Sequence, residues 1–322
     1  MRVVEFWQQV FSELEEGRAV YICLVVDQKK GSPGTTAARM VLTQSGDQYG
    51  TVGGGIMERR VIDSGRKLLE VGEPLAPRLQ FLSHRREARE EASGLICGGA
   101  QTNLEAVLTA TDAELVGRIV LASEKGTDVQ VCFNPDGIRL DFVADSGNSA
   151  SHFVSKGEGE WQYRMRLNNR RRIVIYGGGH CGVALAQLMW RLDYAVCLVE
   201  PRQDLPTLDS LPRSIQRIEV GFAKAAPLVT FPGETIAVVM TYSMATDIEA
   251  LIGAIPAGFK EIGLMGSPIK IAHIKDSLKE KGFDDLQIQK IRAPIGLSFN
   301  SDTPDEIAVS IAAQILLERN SE

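Results

Sequence analysis

The residues of this chain best suited to chemistry are glycines placed where a short apolar run gives way to a helical pattern. In "RRRIVIYGGGHCGVALAQLMWRLDYAVCLVEPR", residues 170–202, Gly177, Gly179 and Gly182 keep the spacing G-x-G-x-x-G. The first allows a tight turn, the second lets backbone approach a phosphate, and the third lets helix pack against strand. The helix that follows aims its N-terminal N–H groups and the positive end of its dipole at an anion. Glu200 closes the second apolar run at the distance expected of a carboxylate that accepts a ribose 2′-hydroxyl. Strand, turn, helix and acid together outline a dinucleotide-binding fold, which does not by itself fix nicotinamide use. His180 stands in the turn where a nicotinamide enzyme more often has a small or apolar residue. It could donate to a phosphate or a ring, or simply cap the helix.

A second glycine-rich junction is "GTVGGGIMER", residues 50–59, where Gly53, Gly54 and Gly55 leave backbone N–H groups uncovered at a helix start. That again favours an anion. Glu58 is placed to cap the same helix end, a structural role. Cys97 lies between Leu95-Ile96 and Gly98-Gly99. A thiol in such a loop is accessible, and backbone donors would stabilise its thiolate. Local pattern alone favours the plainer reading of a small buried hydrophobe. Cys23, Cys132 and Cys197 fall in strand-like runs and are expected in the core, with Cys181 packed under its helix. Five scattered cysteines without a C-x-x-C pair, and four histidines without H-x-x-H or H-E-x-x-H spacing, predict neither a disulfide framework nor a metal site.

The elements that must position these turns follow from periodicity. Residues 4–16 have a broad apolar face at helical spacing, and 19–26 form an apolar run of strand length. Two strands, "ARMVLT" and "QYGTV", are joined by Ser45-Gly46-Asp47, and the glycines at 53–55 open an amphipathic helix. "DAELVGRIVLASEKG" reads as a helix and "VQVCFNPDGIRLDFV" as a hairpin. Residues 144–169 are polar and rich in Ser and Gly, which predicts a linker ending in one strand-like segment around 161–165. Beyond it, strands at 173–176, 195–200, 215–220, 235–240 and 261–265 alternate with helical patterns, implying a parallel sheet covered by helices. The expected fold class is α/β: an N-terminal α+β domain over 1–115, a hairpin and linker over 116–168, and a Rossmann-type domain over 169–322.

Composition narrows the function classes. The 322 residues suffice for two domains with separate cores, and 44% hydrophobic with 24% charged residues is ordinary for a globular protein. A formal charge of −6 speaks against nucleic acid as a partner. The basic clusters Arg85-Arg86 and Arg170-Arg171-Arg172 are short enough to be solvated flanks. The start, "MRVVEFWQQVFSELEEG", lacks the apolar core of a signal peptide, and no apolar stretch reaches bilayer length. A cytoplasmic location away from membranes is expected.

In combination, the motifs resemble the XdhC/CoxI family of maturation factors for molybdenum hydroxylases such as xanthine dehydrogenase. The N-terminal elements are "GSPG" with "ARMVL", "GTVGGGIME" and "CGG". The C-terminal ones are "GGGHCGVALAQL", "IGLMGSPIK" and "APIGLSFNSDTPDEIAVSIAAQIL", in family order from about residue 19 to 316. His180, odd for a dehydrogenase, belongs to this pattern. The resemblance implies an accessory protein that binds and protects the molybdenum cofactor (molybdopterin), assists its sulfuration and delivers it to an apo-hydroxylase. It implies a cofactor chaperone more than a catalyst, and not a xanthine dehydrogenase itself. Five scattered cysteines could not hold that enzyme's iron–sulfur clusters. Cofactor-binding positions carried over are Gly53, Gly54, Gly55, Gly98, Gly99, Gly177, Gly179, His180, Gly182, Glu200, Thr241, Gly266, Ser267 and Lys270. Cys97 is the matching candidate for a molybdenum ligand or sulfur-transfer thiol. A nucleotide such as NAD(P) at the Rossmann turn, a cysteine desulfurase partner and a homodimer are further expectations.

Several positions depart from the family pattern. Where T-H-D-H…D is common, this chain has "TYSMATD", so only Thr241 and Asp247 match. Pro268 and Ile269 replace a usual basic pair before Lys270, and Ser298 and Asn300 stand where an aspartate and a glycine are typical. "GSPGTTAARM" is a shortened loop without the glycine usual just before Arg39, and Glu200 replaces an aspartate. These mark a divergent member. The rival from another class is an NAD(P)-dependent oxidoreductase built on Gly177 to Glu200. It would need a proton donor beside the nicotinamide, for which His180 and His273 are poorly placed. A nucleotide-sensing regulator is a third reading.

Overall fold

The structure, a computed structural model, describes residues 2–29, 35–36, 38–83, 100–124, 127, 129–143, 151–157, 159–167 and 171–319. The chain divides into two compact units, Met1–Asn169 and Arg170–Glu322. Cys97, Gly98 and Gly99 lie outside the described residues.

The first unit opens with α1 (Val3–Glu15), which buries Phe6, Trp7, Val10 and Leu14 along one stripe. Then come β1 (Val20–Gln28), β2 (Arg39–Thr43), β3 (Gln48–Thr51), α2 (Gly55–Val71), β4 (Leu75–Ser83) and β5 (Ala100–Leu108). The five strands form one sheet in the order β3-β2-β1-β5-β4, antiparallel throughout. Strand β1 is central and buried on both faces, so its alternation separates two cores rather than core from solvent. Val20, Ile22, Leu24 and Val26 join the cluster with α1, whereas Tyr21, Cys23 and Val25 face the cluster that includes Met57, Val61 and Leu69 of α2.

Helix α3 (Ala113–Glu124) leads into β6 (Val129–Asn134), β7 (Gly137–Phe142), β8 (Ser151–Ser155) and β9 (Trp161–Arg166). These make a second antiparallel sheet, ordered β7-β6-β9-β8. The polar stretch expected to act as a linker thus contributes two strands. Trp161, Tyr163 and Met165 alternate inward from β9 and pack with α1 and α3, while Phe153 of β8 packs against the same cluster. Trp7, Phe133 and Tyr163 form an aromatic chain, with ring centroids 6.3 Å and 5.9 Å apart.

The second unit runs β10 (Arg172–Tyr176), α4 (His180–Arg191), β11 (Ala195–Val199), β12 (Gln216–Ile218), α5 (Phe222–Ala225), β13 (Thr235–Val239), α6 (Met244–Ala254) and β14 (Glu261–Leu264). It closes with α7 (Pro268–Glu280), α8 (Asp285–Gln289), β15 (Ile291–Arg292) and α9 (Pro304–Arg319). All six strands are parallel, in the order β12-β11-β10-β13-β14-β15. Renumbered from β10, that is 3-2-1-4-5-6, the doubly wound arrangement whose order reverses between its first and fourth strands. Ile173 and Ile175 face α4 and α9, whereas Val174 and Tyr176 face α5 to α8. The Rossmann-type sheet expected from the sequence is present, with a sixth strand, β15, added at its edge. Among the described residues, no helix is long and apolar enough to cross a membrane.

Candidate functional site

In the second unit, parallel strands carry the expected residues to one end of the sheet. β10 stops at Tyr176, and the chain turns through Gly177 with φ of 120°. A Cβ on Gly177 would meet the Met240 carbonyl oxygen at 2.5 Å. On Gly182, in the first turn of α4, it would stand 1.9 Å from the Gly177 oxygen. Gly179, the N-cap between them, has no atom within 4 Å of that position. The turn is therefore packed against the protein at Gly177, Gly178 and Gly182 and open at Gly179. His180, the first residue of α4, is exposed beside the opening.

Glu200 follows β11 and is only 2% exposed. Its Oε2 accepts the Gly178 N–H at 2.8 Å and Arg202 Nη2 at 2.8 Å. Its Oε1 accepts Arg202 Nε at 2.8 Å and the Arg202 N–H at 3.1 Å. Burial pushes the carboxyl pKa up, but these four bonds outweigh it and hold the group below its usual range. The carboxylate read as a ribose acceptor spends its lone pairs inside the protein. It braces the glycine turn and fixes Arg202, whose guanidinium lies 4.1 Å from the centroid of the Tyr242 ring.

Thr241 follows β13 and does similar work with Asp247, which is fully buried. Asp247 Oδ1 accepts the Thr241 N–H at 2.9 Å and its hydroxyl at 2.6 Å. Its Oδ2 lies 2.5 Å from Lys270 Nζ. Ser267 caps α7 by accepting the Lys270 N–H at 3.3 Å. A Cβ on Gly266 would sit 3.1 Å from Lys270 Cδ, so the small residue clears the path of the lysine to Asp247. The matching positions Thr241, Gly266, Ser267 and Lys270 are thus one connected group, with Asp247 at its centre.

In the first unit, Gly53, Gly54 and Gly55 all have φ between 69° and 131°, a run that side chains would strain. Several of the donors around it are already answered. Glu58 Oε2 accepts the Val52 N–H at 2.8 Å, the Gly54 N–H at 3.1 Å and the Thr51 hydroxyl. Oε1 accepts Gln48 Nε2 at 3.1 Å. Burial raises the Glu58 pKa, but the hydrogen bonds prevail and the carboxyl titrates below its usual range.

Cys23, Cys132 and Cys197 are buried, as strand positions predict, and Cys181 is half-buried. Burial pushes the Cys132 thiol up to about 11 and Cys197 to about 12, so neither is a thiolate near neutral pH. Among the described residues, hollows of about 380 Å³ beside Ser45 and Arg66 and about 310 Å³ beside Lys260 and Arg292 lie away from the glycine turns. Sequence reasoning misses Arg202 as a site residue, and the signal for it is slight: its place two residues after the acid.

Comparison with known proteins matches both halves. A family model described as the XdhC Rossmann domain covers residues 173–315, and one described as the XdhC and CoxI family covers 13–81. The chain belongs to the XdhC/CoxI family. Among relatives, an uncharacterized Escherichia coli K12 protein, YqeB, is 24% identical over 96% of this chain and 46% of its own length. A Bacillus subtilis 168 protein described as a probable xanthine dehydrogenase component is 24% identical over 48% of this chain and 45% of its own. The chain spans about half the length of the curated relatives it matches. A crystal structure of a Bacillus halodurans protein described as a xanthine dehydrogenase covers 100% of this chain and 97% of that one, with a TM-score of 0.76 at 18% identity. That likeness establishes a shared fold. The XdhC/CoxI resemblance read from the glycine turns is borne out, and so is the Rossmann-type fold of its C-terminal half.

Proposed function

We propose that this XdhC/CoxI protein binds the molybdenum cofactor, protects it, assists its sulfuration and delivers it to a xanthine dehydrogenase-type hydroxylase. The observation that carries this reading is the state of the carboxylates at the strand ends. Glu200 and Asp247 are committed to neighbouring amides and cations, so the crevice offers hydrogen-bond donors rather than a free acid or base. Such a surface suits holding an anionic pterin phosphate more than moving a proton or hydride. The open backbone at Gly179 gives the phosphate a place to approach. Cys97 is assigned to sulfur transfer or molybdenum ligation, a cysteine desulfurase supplies the sulfur, and a homodimer is the working assembly.

The test uses purified protein, molybdopterin and an apo-hydroxylase. Co-elution of cofactor with the protein through gel filtration, and faster hydroxylase activation than free cofactor gives, are the expected results. Cys97→Ala is expected to lose activation when the cofactor must first be sulfurated and, for a sulfur-transfer thiol, to keep it with pre-sulfurated cofactor; weakened cofactor binding instead would assign the thiol to molybdenum. Substrate-dependent oxidation of NADH or NADPH, with no cofactor retained, would establish the oxidoreductase reading in its place.

A further inference from the structure

We infer that Arg202 is the anion-reading residue of the C-terminal unit, and that it recognises a terminal phosphate monoester on a ligand laid across the 177–182 turn. Glu200, its neighbour, cannot receive the ligand. A carboxylate has about four lone-pair sites, and all four are used: by the Gly178 N–H, the Arg202 N–H, Arg202 Nε and Arg202 Nη2. A ribose diol therefore meets no free lone pair on the Glu200 carboxylate.

The guanidinium is in the opposite condition. Nε and Nη2 face the carboxylate, so the fixed fork directs the Nη1 edge away from it. Arg202 is 41% exposed while Glu200 is 2% exposed, so the carboxylate is buried beneath an arginine that reaches solvent. The Tyr242 ring covers one face at 4.1 Å and fixes the plane. Arg202 follows β11 and Tyr242 follows β13, the two strands flanking β10. Their contact therefore spans the carboxyl end of β10, where the open Gly179 turn lies. Lys270 is likewise paired, with the buried Asp247, and is less exposed than Arg202, 27% against 41%.

A phosphate monoester carries close to two charges at neutral pH and presents oxygens that match a guanidinium edge. Two ligands could bring one to this place: the 2′-phosphate of an adenine dinucleotide, or the terminal phosphate of the pterin. The pterin source rests on the proposed function; the dinucleotide source does not.

The experiment titrates the full chain by calorimetry and fluorescence with two matched pairs. One is NADP⁺ against NAD⁺. The other is the oxidised fluorescent pterin phosphate derived from molybdopterin against its phosphatase-treated form. In at least one pair the phosphorylated member is expected to bind about tenfold tighter or more, the range for a charge-assisted hydrogen bond. Arg202→Met should bring that ratio near one, and Arg202→Lys should restore part of it. Because Arg202→Met strands a buried carboxylate, the Glu200→Gln/Arg202→Met double variant should show the same loss of discrimination with a melting temperature at or above that of Arg202→Met alone. Equal binding within both pairs in wild type, or a ratio that survives in both Met variants, overturns the assignment. Delivery to an apo-hydroxylase is measured in parallel. A wild-type protein that discriminates phosphate but delivers nothing supports Arg202 and overturns the delivery reading alone.

Discussion

Gly179 and Gly182 stand three residues apart in one turn, and a methyl group would have opposite consequences at the two. At Gly182 it would lie 1.9 Å from the Gly177 oxygen, and both are backbone positions with nowhere to retreat. Gly182→Ala is expected to destabilise the protein by about 3 kcal/mol or more, read from chemical denaturation. At Gly179 it would meet nothing within 4 Å and the φ of −70° suits any residue. Gly179→Ala should keep the fold and weaken ligand binding; loss of the fold would contradict the open turn. Glu200 supplies a pH prediction. Its folded pKa lies below the ordinary 4.5, so its contribution to stability is present above that value and lost as pH falls through the lowered one. Glu200→Gln should therefore lower the melting temperature at neutral pH, with the gap to wild type narrowing below about pH 4. The glycines themselves are legible in the sequence, because each answers to a local backbone demand. Their partners are not. That Glu200 turns inward to Gly178, and that Asp247 reaches Lys270, depends on strands brought together by the sheet.

The strands of the second unit are easy to read because most are buried on both faces, so each is a continuous apolar run. β15 has two residues and no pattern that periodicity could detect. In the first unit, the alternation of "WQYRM" announces β9, but the Ser- and Gly-rich residues before it hide the partner strand. β8 is a sheet-edge strand, where one apolar contact, Phe153, suffices to anchor it. The consequence is that this hairpin belongs to the core. Tyr163 is fully buried and its ring meets that of Phe133 at a tilt of 38°, so Tyr163→Ala should cost about 3–5 kcal/mol in the unfolding of the first unit. A loss below about 1 kcal/mol would return the segment to the status of a linker.

At the scale of the whole molecule, each unit closes its own hydrophobic clusters, one pair per unit. Urea unfolding is therefore expected to depart from a single transition. Trp7 and Trp161 report on the first unit and Trp190 on the second, so Trp190→Phe isolates the first in fluorescence. Coincident curves for wild type, Trp190→Phe and far-ultraviolet circular dichroism would refute this. Glu58 has one more consequence. Its carboxylate already occupies the amides of Val52 and Gly54, so the protein carries its own competitive inhibitor of that turn. An outside anion can hold those amides only while Glu58 is swung away, and its apparent affinity is scaled down by the fraction of time that this is so.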